Sequence, residues 1–393
     1  MERRTAIYLD ANAGAPLKPA AIAAIRPLLN SEDGLLPNPS SIHAHGRKAK
    51  RWVAEAREKI AASLGSSVDP EQLVFTSSGT EANQLAIRSV LEARLEQGGR
   101  PHWILSPIEH DSTLQLVDWL VKRGGGVSFL PVDAQGRIEV SRISDLFRPE
   151  TALVSVVWVN NETGVIADIP ALIQETERRK ITLHLDAAQA WGKLPLDLGS
   201  LGADLVTFSG HKIGALAGIG LVSIRRGTAL HGLIRGKQEK GRRGGTENLL
   251  GIVSMGAAAQ DLDPVAWTKR VSPLRDRLQS VIRQRPGLAG VQINGEEAPR
   301  VANTLSLSFE GVGGDGLVMA LDLAGYSVSA GSACSSGVLE PSHVLLAMGR
   351  TKAQAVSAIR VSLVDEVPLP VLDGFADALE KVVVRARKSA ATE

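Results

Sequence analysis

Two side chains at the ends of apolar runs could do covalent chemistry together. In ITLHLDAAQAWG (Ile181–Gly192) an acid, Asp186, closes a β-rich run, and in LVTFSGHKIG (Leu205–Gly214) an amine, Lys212, follows Ser209, Gly210 and His211. A lysine at a strand's mouth, among small and hydroxyl residues, differs from a surface lysine that drapes its stem over apolar neighbours. Its amine could form a Schiff base with a carbonyl, although a structural role is the commoner one for any single lysine. Asp186 could equally cap a helix or partner a buried cation. Upstream, FTSSGTEANQLAI (Phe75–Ile87) reads as strand, small-residue turn and helix. Ser77, Ser78, Gly79 and Thr80 fall where a helix N-terminus presents free N–H groups to an anion, typically phosphate. No Gly-Lys-Ser/Thr follows, so this is not a P-loop. Capping by Thr80, with Glu81 in the first turn, would account for the same residues without a ligand.

The combination is more specific than its parts. Pyridoxal phosphate needs a lysine for its aldehyde, an acid to keep its pyridine nitrogen protonated, and an anchor for its phosphate. Further residues fit the same chemistry. His110, in SPIEHDSTLQ, could stack on a ring and move protons, or simply bond the backbone at a helix start. Asn161, in VSVVWVNNETGV, could bond the cofactor or a substrate carboxylate, or serve a turn. Arg360 interrupts an apolar run (Ser357–Leu363) and needs an anionic partner, either a substrate carboxylate or a structural Asp or Glu. Cys334 is the only cysteine. A lone cysteine is more often a buried, inert small hydrophobe. Its neighbours here, Gly331, Ser332, Ala333, Ser335, Ser336 and Gly337, have the composition of an exposed loop able to visit a buried site and return. A local cation or base must then activate the thiol.

Strands that end together must position these groups. β-rich runs at Leu73–Thr76, Trp103–Ser106, Gly126–Pro131, Leu153–Val159, Ile181–Asp186, Leu205–Ser209 and Gly220–Ile224 alternate with helical periodicity at Ala49–Leu64, Glu81–Gln97, Ser112–Arg123 and Ile169–Arg179. This predicts an α/β fold: a large domain with a mostly parallel sheet flanked by helices on both faces. Ligands of such sheets sit at the carboxyl ends of the strands. After about Gly251 the pattern changes. Helical stretches (Ile252–Asp261, Val265–Arg285, Gly316–Ala324, Pro370–Arg387) surround strand-like pieces near Val291–Ile293 and Thr304–Phe309, predicting a smaller α+β domain. The Gly- and base-rich Arg225–Gly245 run reads as a solvated loop.

Composition narrows the function class. At 393 residues, with 44% hydrophobic and 22% charged, the chain can bury substantial cores in about two or three domains. Lys plus Arg (44) nearly balances Asp plus Glu (42), which argues against a chain that coats nucleic acid or anionic membrane. One cysteine excludes disulfides within the chain and a Cys-rich metal site, and points to a reducing compartment. No run reaches the roughly 18 apolar residues of a membrane span. The start, MERRTAIYLDANAG, lacks an apolar signal core, so a cytoplasmic location is expected.

Together these residues resemble the cysteine desulfurases of the NifS/IscS type, within the class V aminotransferase group of fold-type I pyridoxal-phosphate enzymes. The likeness runs nearly end to end, through LDANAGAPL (Leu9–Leu17), NPSSIHAHG (Asn38–Gly46), SGTEANQLAI, IEHDST, VNNETG, HLDAAQ, SGHK, RGGTEN (Arg243–Asn248), GSACSS and IRVSL. The resemblance implies that Lys212 holds the cofactor's aldehyde, Asp186 pairs with the pyridine nitrogen, and Gln189 meets the phenolic oxygen. His110 would stack on the ring and shuttle protons. Gly79, Thr80, Ser209 and His211 would bind the phosphate, joined by Thr246 of the partner subunit in a homodimer. Asn161 and Arg360 would hold the carboxylate of L-cysteine. Cys334 would attack the substrate sulfur and become a persulfide, leaving alanine, and pass its sulfur to an acceptor protein for iron–sulfur clusters or thio-cofactors. The length from Cys334 to Arg360 resembles the branch with an extended, mobile cysteine loop. The family's two domains would fall at 16–254 for the large one, and at 1–15 with 255–393 for the small one.

Three departures stand against the family pattern. SGHK is followed by IGALAG (Ile213–Gly218) where members carry Tyr-Gly-Pro-Lys-Gly, Gly14 and Ala15 replace a common pair of threonines, and the chain stops at KSAATE without a longer tail. Another enzyme of the group, an aminotransferase or selenocysteine lyase, is the alternative. A non-catalytic, cofactor-binding scaffold is another. Transamination requires no cysteine, whereas this chain keeps its single one in GSACSS.

Overall fold

The computed structural model describes residues 6–30, 34–331 and 340–390. Its strands are β1 (Ile7–Tyr8), β2 (Leu73–Thr76), β3 (His102–Leu105), β4 (Gly126–Phe129), β5 (Thr151–Val157), β6 (Thr182–Asp186), β7 (Leu205–Ser209), β8 (Gly220–Ile224), β9 (Gln292–Ile293), β10 (Thr304–Ser308), β11 (Tyr326–Ser327), β12 (Ser329–Ala330) and β13 (Ala358–Ser362). Seven of them form one sheet in the order β2-β8-β7-β6-β5-β3-β4. The pairs among β4, β3, β5, β6 and β7 are parallel, and β8 runs antiparallel to both neighbours. The sheet is thus mostly parallel, as the alternating pattern requires.

Burial on both faces explains the unbroken apolar runs. All seven residues of β5, Thr-Ala-Leu-Val-Ser-Val-Val, are buried. Leu153 packs with Ile87, Leu91, Trp103 and Leu120 on one face, and Val154 and Val156 join Ile60, Leu172, Leu183 and Phe208 in the main core. Each such side chain, fully buried, contributes ~1.5–3 kcal/mol of hydrophobic stabilisation. The helices α1 (Pro19–Leu29), α2 (Ala44–Leu64) and α3 (Gly79–Glu96) cover this sheet together with Ile169–Arg179 and Leu249–Gln260. Helix α2 begins at Ala44, five residues earlier than its apolar periodicity suggests, and is capped by His43, whose ring accepts the Gly46 N–H. The expected Ser112–Arg123 helix is two short ones, Asp111–Leu114 and Leu116–Val121.

A second, four-stranded antiparallel sheet (β12-β13-β10-β9) carries its own core. Leu305, Leu307, Ile359 and Val361 from this sheet pack against Leu278 and Ile282 of Pro264–Gln284, and against Phe375 and Leu379 of Leu369–Ala390. The N-terminal segment joins it: β1 pairs in parallel with β11, and Leu9 is fully buried in this core. The segment then crosses to the larger sheet, where the Ala15 N–H meets the His211 carbonyl and the Lys18 N–H meets the Gly214 carbonyl. The basic Arg225–Gly245 run is mostly irregular, but it is anchored. The Glu239 side chain is buried and takes a 2.7 Å ion pair from Arg57 in α2 and a 3.0 Å hydrogen bond from the Phe75 N–H.

Candidate active site

The carboxyl ends of β5, β6 and β7 open onto a cavity of about 830 Å³ roofed by the smaller sheet. Lys212 ends the tight turn Gly210–Lys212 directly after β7 and lines this cavity. Its Nζ donates to the Asn12 carbonyl at 2.6 Å and the Ala13 carbonyl at 2.8 Å. Burial pushes the amine down from its ordinary 10.5 to about 8, the Arg360 charge adds to this, and Asp10 and Asp186 oppose it. A neutral, nucleophilic amine is therefore far more accessible here than on a surface lysine.

Asp186 closes β6 with its carboxylate held on two sides. Oδ1 accepts the Ala188 N–H at 2.9 Å, and Oδ2 accepts Asn83 Nδ2 at 2.7 Å. Asn83, buried in α3, is fixed in turn by the Thr207 hydroxyl and reaches Ser112 Oγ at 2.9 Å. The anion cup forms where α3 begins. Ser78, not Thr80, is the cap, its Oγ accepting the Glu81 N–H at 3.1 Å. That leaves Gly79 and Thr80 on the cavity wall at the positive end of an 18-residue helix. A Cβ at Gly79 would lie 3.0 Å from the Cβ of Ser209, so the helix start presses on the end of β7 as only glycine comfortably allows. Ser209 Oγ meets His211 Nδ1 at 3.0 Å. Burial, with the Lys212 charge adding, pushes His211 down to about 4, so it is neutral at neutral pH.

His110 lines the cavity and also caps Asp111–Leu114. The Ser112 N–H donates to Nδ1 at 3.1 Å, which leaves Nε2 to carry the ring's proton. Gln189 is buried on the wall, with Nε2 donating to the Asn12 carbonyl at 2.9 Å. Arg360 and Asn161 also line the cavity. Arg360 has a carboxylate partner, Asp10 at 2.7 Å, and donates to the Asn161 carbonyl at 3.2 Å, while its buried Nε has no partner among the described residues.

Two predicted residues stand apart. Thr246 is exposed and does not line the cavity of its own chain, although Arg243 from the same RGGTEN segment pairs with Glu81 at 2.8 Å in α3. Cys334 lies outside the described residues. Gly331 and Glu340, the described residues bounding 332–339, both line the cavity. Sequence reading left Asp10, Asn12, Asn83 and Lys193 without roles. Asp10 and Asn12 lie in the quoted LDANAGAPL, and Lys193 lies just beyond HLDAAQ; a polar residue among small apolar ones was the only signal.

The donor set suits pyridoxal phosphate. It offers an amine of lowered basicity, a fixed carboxylate for a protonated ring nitrogen, and a cup of free N–H and hydroxyl groups beside a glycine that leaves the cradle open. Comparison with known proteins agrees. The model of the family Aminotransferase class-V matches residues 7–367. A protein of Gluconacetobacter diazotrophicus named cysteine desulfurase is 39% identical over 98% of this chain and 94% of its own length. One of Dictyoglomus turgidum named cysteine desulfurase IscS is 38% identical over 97% and 95%. The crystal structure of a NifS-like protein from Rickettsia africae superposes with a TM-score of 0.84 at 30% identity, covering 96% of this chain and 99% of that one. A likeness that spans both sheets leaves one placement: this chain belongs to the class-V aminotransferase family.

Proposed function

We propose that the protein is a pyridoxal-phosphate-dependent cysteine desulfurase. It converts L-cysteine to L-alanine and holds the released sulfur as a persulfide on Cys334. The observation that carries this reading is the convergence of Lys212, Asp186 and the Gly79–Thr80 cup on one cavity whose wall includes both residues bounding the Cys334 segment. Bound there, the cofactor would supply an aldehyde that captures amino groups and a ring that draws electrons from the substrate's α-carbon.

The chain's own residues do the rest. Lys212 holds the aldehyde carbon. Asp186 keeps a proton on the pyridine nitrogen, and its two hydrogen bonds stop it from turning away. Gly79, Thr80, Ser209 and neutral His211 hold the phosphate, and Gln189 faces the phenolic oxygen. Arg360 and Asn161, side by side on the cavity wall, receive the substrate carboxylate. His110 moves protons through Nε2. The Cys334 thiolate then bonds to the substrate sulfur as the carbon–sulfur bond breaks; the electron pair stays on carbon, which gains a proton to give alanine.

The same reading includes a homodimer in which Thr246 completes the partner's phosphate cup, domains at 16–254 and at 1–15 with 255–393, a cytoplasmic location, and an acceptor protein that carries the sulfur toward iron–sulfur clusters or thio-cofactors. No helix among the described residues is long and apolar enough to cross a membrane. The experiment has two arms. Purified protein should be yellow, and borohydride should fix the cofactor to a peptide containing Lys212. Cys334→Ala should keep that colour and lose alanine formation from cysteine. A colourless protein that cannot be reconstituted defeats the cofactor assignment; unaltered turnover in Cys334→Ala defeats the sulfur step and favours an aminotransferase.

A further inference from the structure

Lys193 is buried beside this site and has no part in the chemistry above. It is 7% exposed, and no carboxylate pairs with it among the described residues. Its Nζ instead serves two amide oxygens, Asn12 Oδ1 at 2.7 Å and Gln189 Oε1. Burying an amine without a counter-charge is unfavourable, so its partners reveal what it holds. Both belong to the wall around Lys212: the Asn12 carbonyl accepts from Lys212 Nζ and from Gln189 Nε2, at 2.6 and 2.9 Å.

We propose that Lys193 is a positioning residue that fixes the face of the Gln189 amide and so makes Nε2 the atom turned toward the cofactor's phenolic oxygen. The inference rests on the cofactor assignment above. The logic is that of donors and acceptors. An ammonium has only donors and a neutral amine bound to two acceptors uses both of its N–H groups, so in either state Lys193 claims Oε1. The amide has no other oxygen, and Nε2 must face the opposite way. Without Lys193 only the 2.9 Å bond from Nε2 to the Asn12 carbonyl holds the amide against turning over, which would present its oxygen to a ring oxygen that carries negative charge, exchanging an attraction for a repulsion. Asn12 is locked by the same amine. With Oδ1 on Lys193 and on Asn303 Nδ2 at 3.1 Å, its own Nδ2 is committed to Thr304 Oγ1 at 2.9 Å and to the Asn161 carbonyl at 3.1 Å.

The test reads the pH at which the bound cofactor's absorbance changes in the holoenzyme, apart from turnover. A donor to the phenolic oxygen favours the deprotonated chromophore, whose negative charge is uncompensated, so loss of that donor moves the midpoint upward by about one pH unit. Gln189→Leu and Lys193→Met should each show this rise, and the double variant no more than either alone, because both remove one interaction. A midpoint unchanged in Lys193→Met while Gln189→Leu moves it, or effects that add fully, overturns the proposal. Should Lys193→Met fail to fold, Lys193→Gln keeps an N–H donor group on a shorter side chain, and its midpoint must fall between those of the wild type and Gln189→Leu. A wild-type protein with no chromophore on Lys212 would instead defeat the cofactor assignment itself, so the two failures are distinct.

Discussion

Lys212 shows how much of the chemistry is set by where one amine is placed. It sits among backbone carbonyls and beside Arg360, and the balance of burial and charge brings it to about 8. Between pH 8 and about 9.5 an ordinary lysine is still about nine-tenths or more protonated, while this one is mostly free amine. At pH 7 roughly one site in ten already carries a nucleophile, against well under one in a thousand for an unperturbed side chain. The sign follows directly: lowering pH through 8 protonates the amine and slows capture of an aldehyde. Apoprotein mixed with pyridoxal phosphate should therefore form its chromophore at a rate that rises about tenfold per pH unit below pH 8 and levels off above it. A rate that climbs steadily to pH 10 would show that burial does not tune this group. His211 is adjacent and neutral across the same range, so its titration does not distort the profile.

At the scale of elements, the cup depends on three chain ends meeting: the close of β2, the start of α3 and the start of β8. Gly220 opens β8 opposite Thr76 and Ser209. A Cβ there would lie 2.3 Å from the Ser78 carbonyl carbon and oxygen, which are backbone atoms that cannot swing aside. Gly220→Ala should therefore push the α3 cap outward. We expect a loss of about 1–3 kcal/mol of stability in urea unfolding and a cofactor dissociation constant raised at least ~10-fold. Unchanged cofactor retention would mean that the β8 contact does not shape the cup. The sequence displays β8 as a run of apolar residues, yet its antiparallel direction is invisible there because strand periodicity carries no sense of direction. The parallel strands and their carboxyl-end residues were legible for a different reason: two-sided burial forces continuous apolar runs, so the polar groups that end them stand out. The Asp10–Arg360 pair was not legible, because 350 residues separate two side chains that only the crossing of the N-terminal segment brings together. Lys193 was masked by its setting, a polar residue in a run of small ones with no local period. Arg360 left two readings open, and the fold supplies a carboxylate partner, Asp10, while keeping the residue on the cavity wall.

The N-terminal segment is one of the straps between the two cores: Leu9 belongs to the smaller core, and Asn12 and Ala13 bind the lysine of the larger one. Thr246 is exposed and off its own cavity wall. Leu29, Leu36 and Ile42, from α1 and the segment leading into α2, are also exposed, at 56%, 50% and 90%. A second copy covering such groups would account for both facts. If Thr246 serves the partner's cup, Thr246→Ala should raise the cofactor dissociation constant by about tenfold, the worth of one charge-assisted hydrogen bond. The decisive arm mixes subunits. In a dimer of one Thr246→Ala chain and one Lys212→Ala chain, the only intact lysine lies in the Thr246→Ala subunit, and its cup draws on the other chain's normal threonine. Cofactor affinity at that site should return to the wild-type value. If Thr246 instead serves its own subunit, the same site keeps the defect and affinity stays about tenfold weaker. Mixing by reversible dissociation, followed by borohydride reduction and quantification of labelled Lys212 peptide across a cofactor titration, separates the two outcomes because the Lys212→Ala chain cannot be labelled at that position.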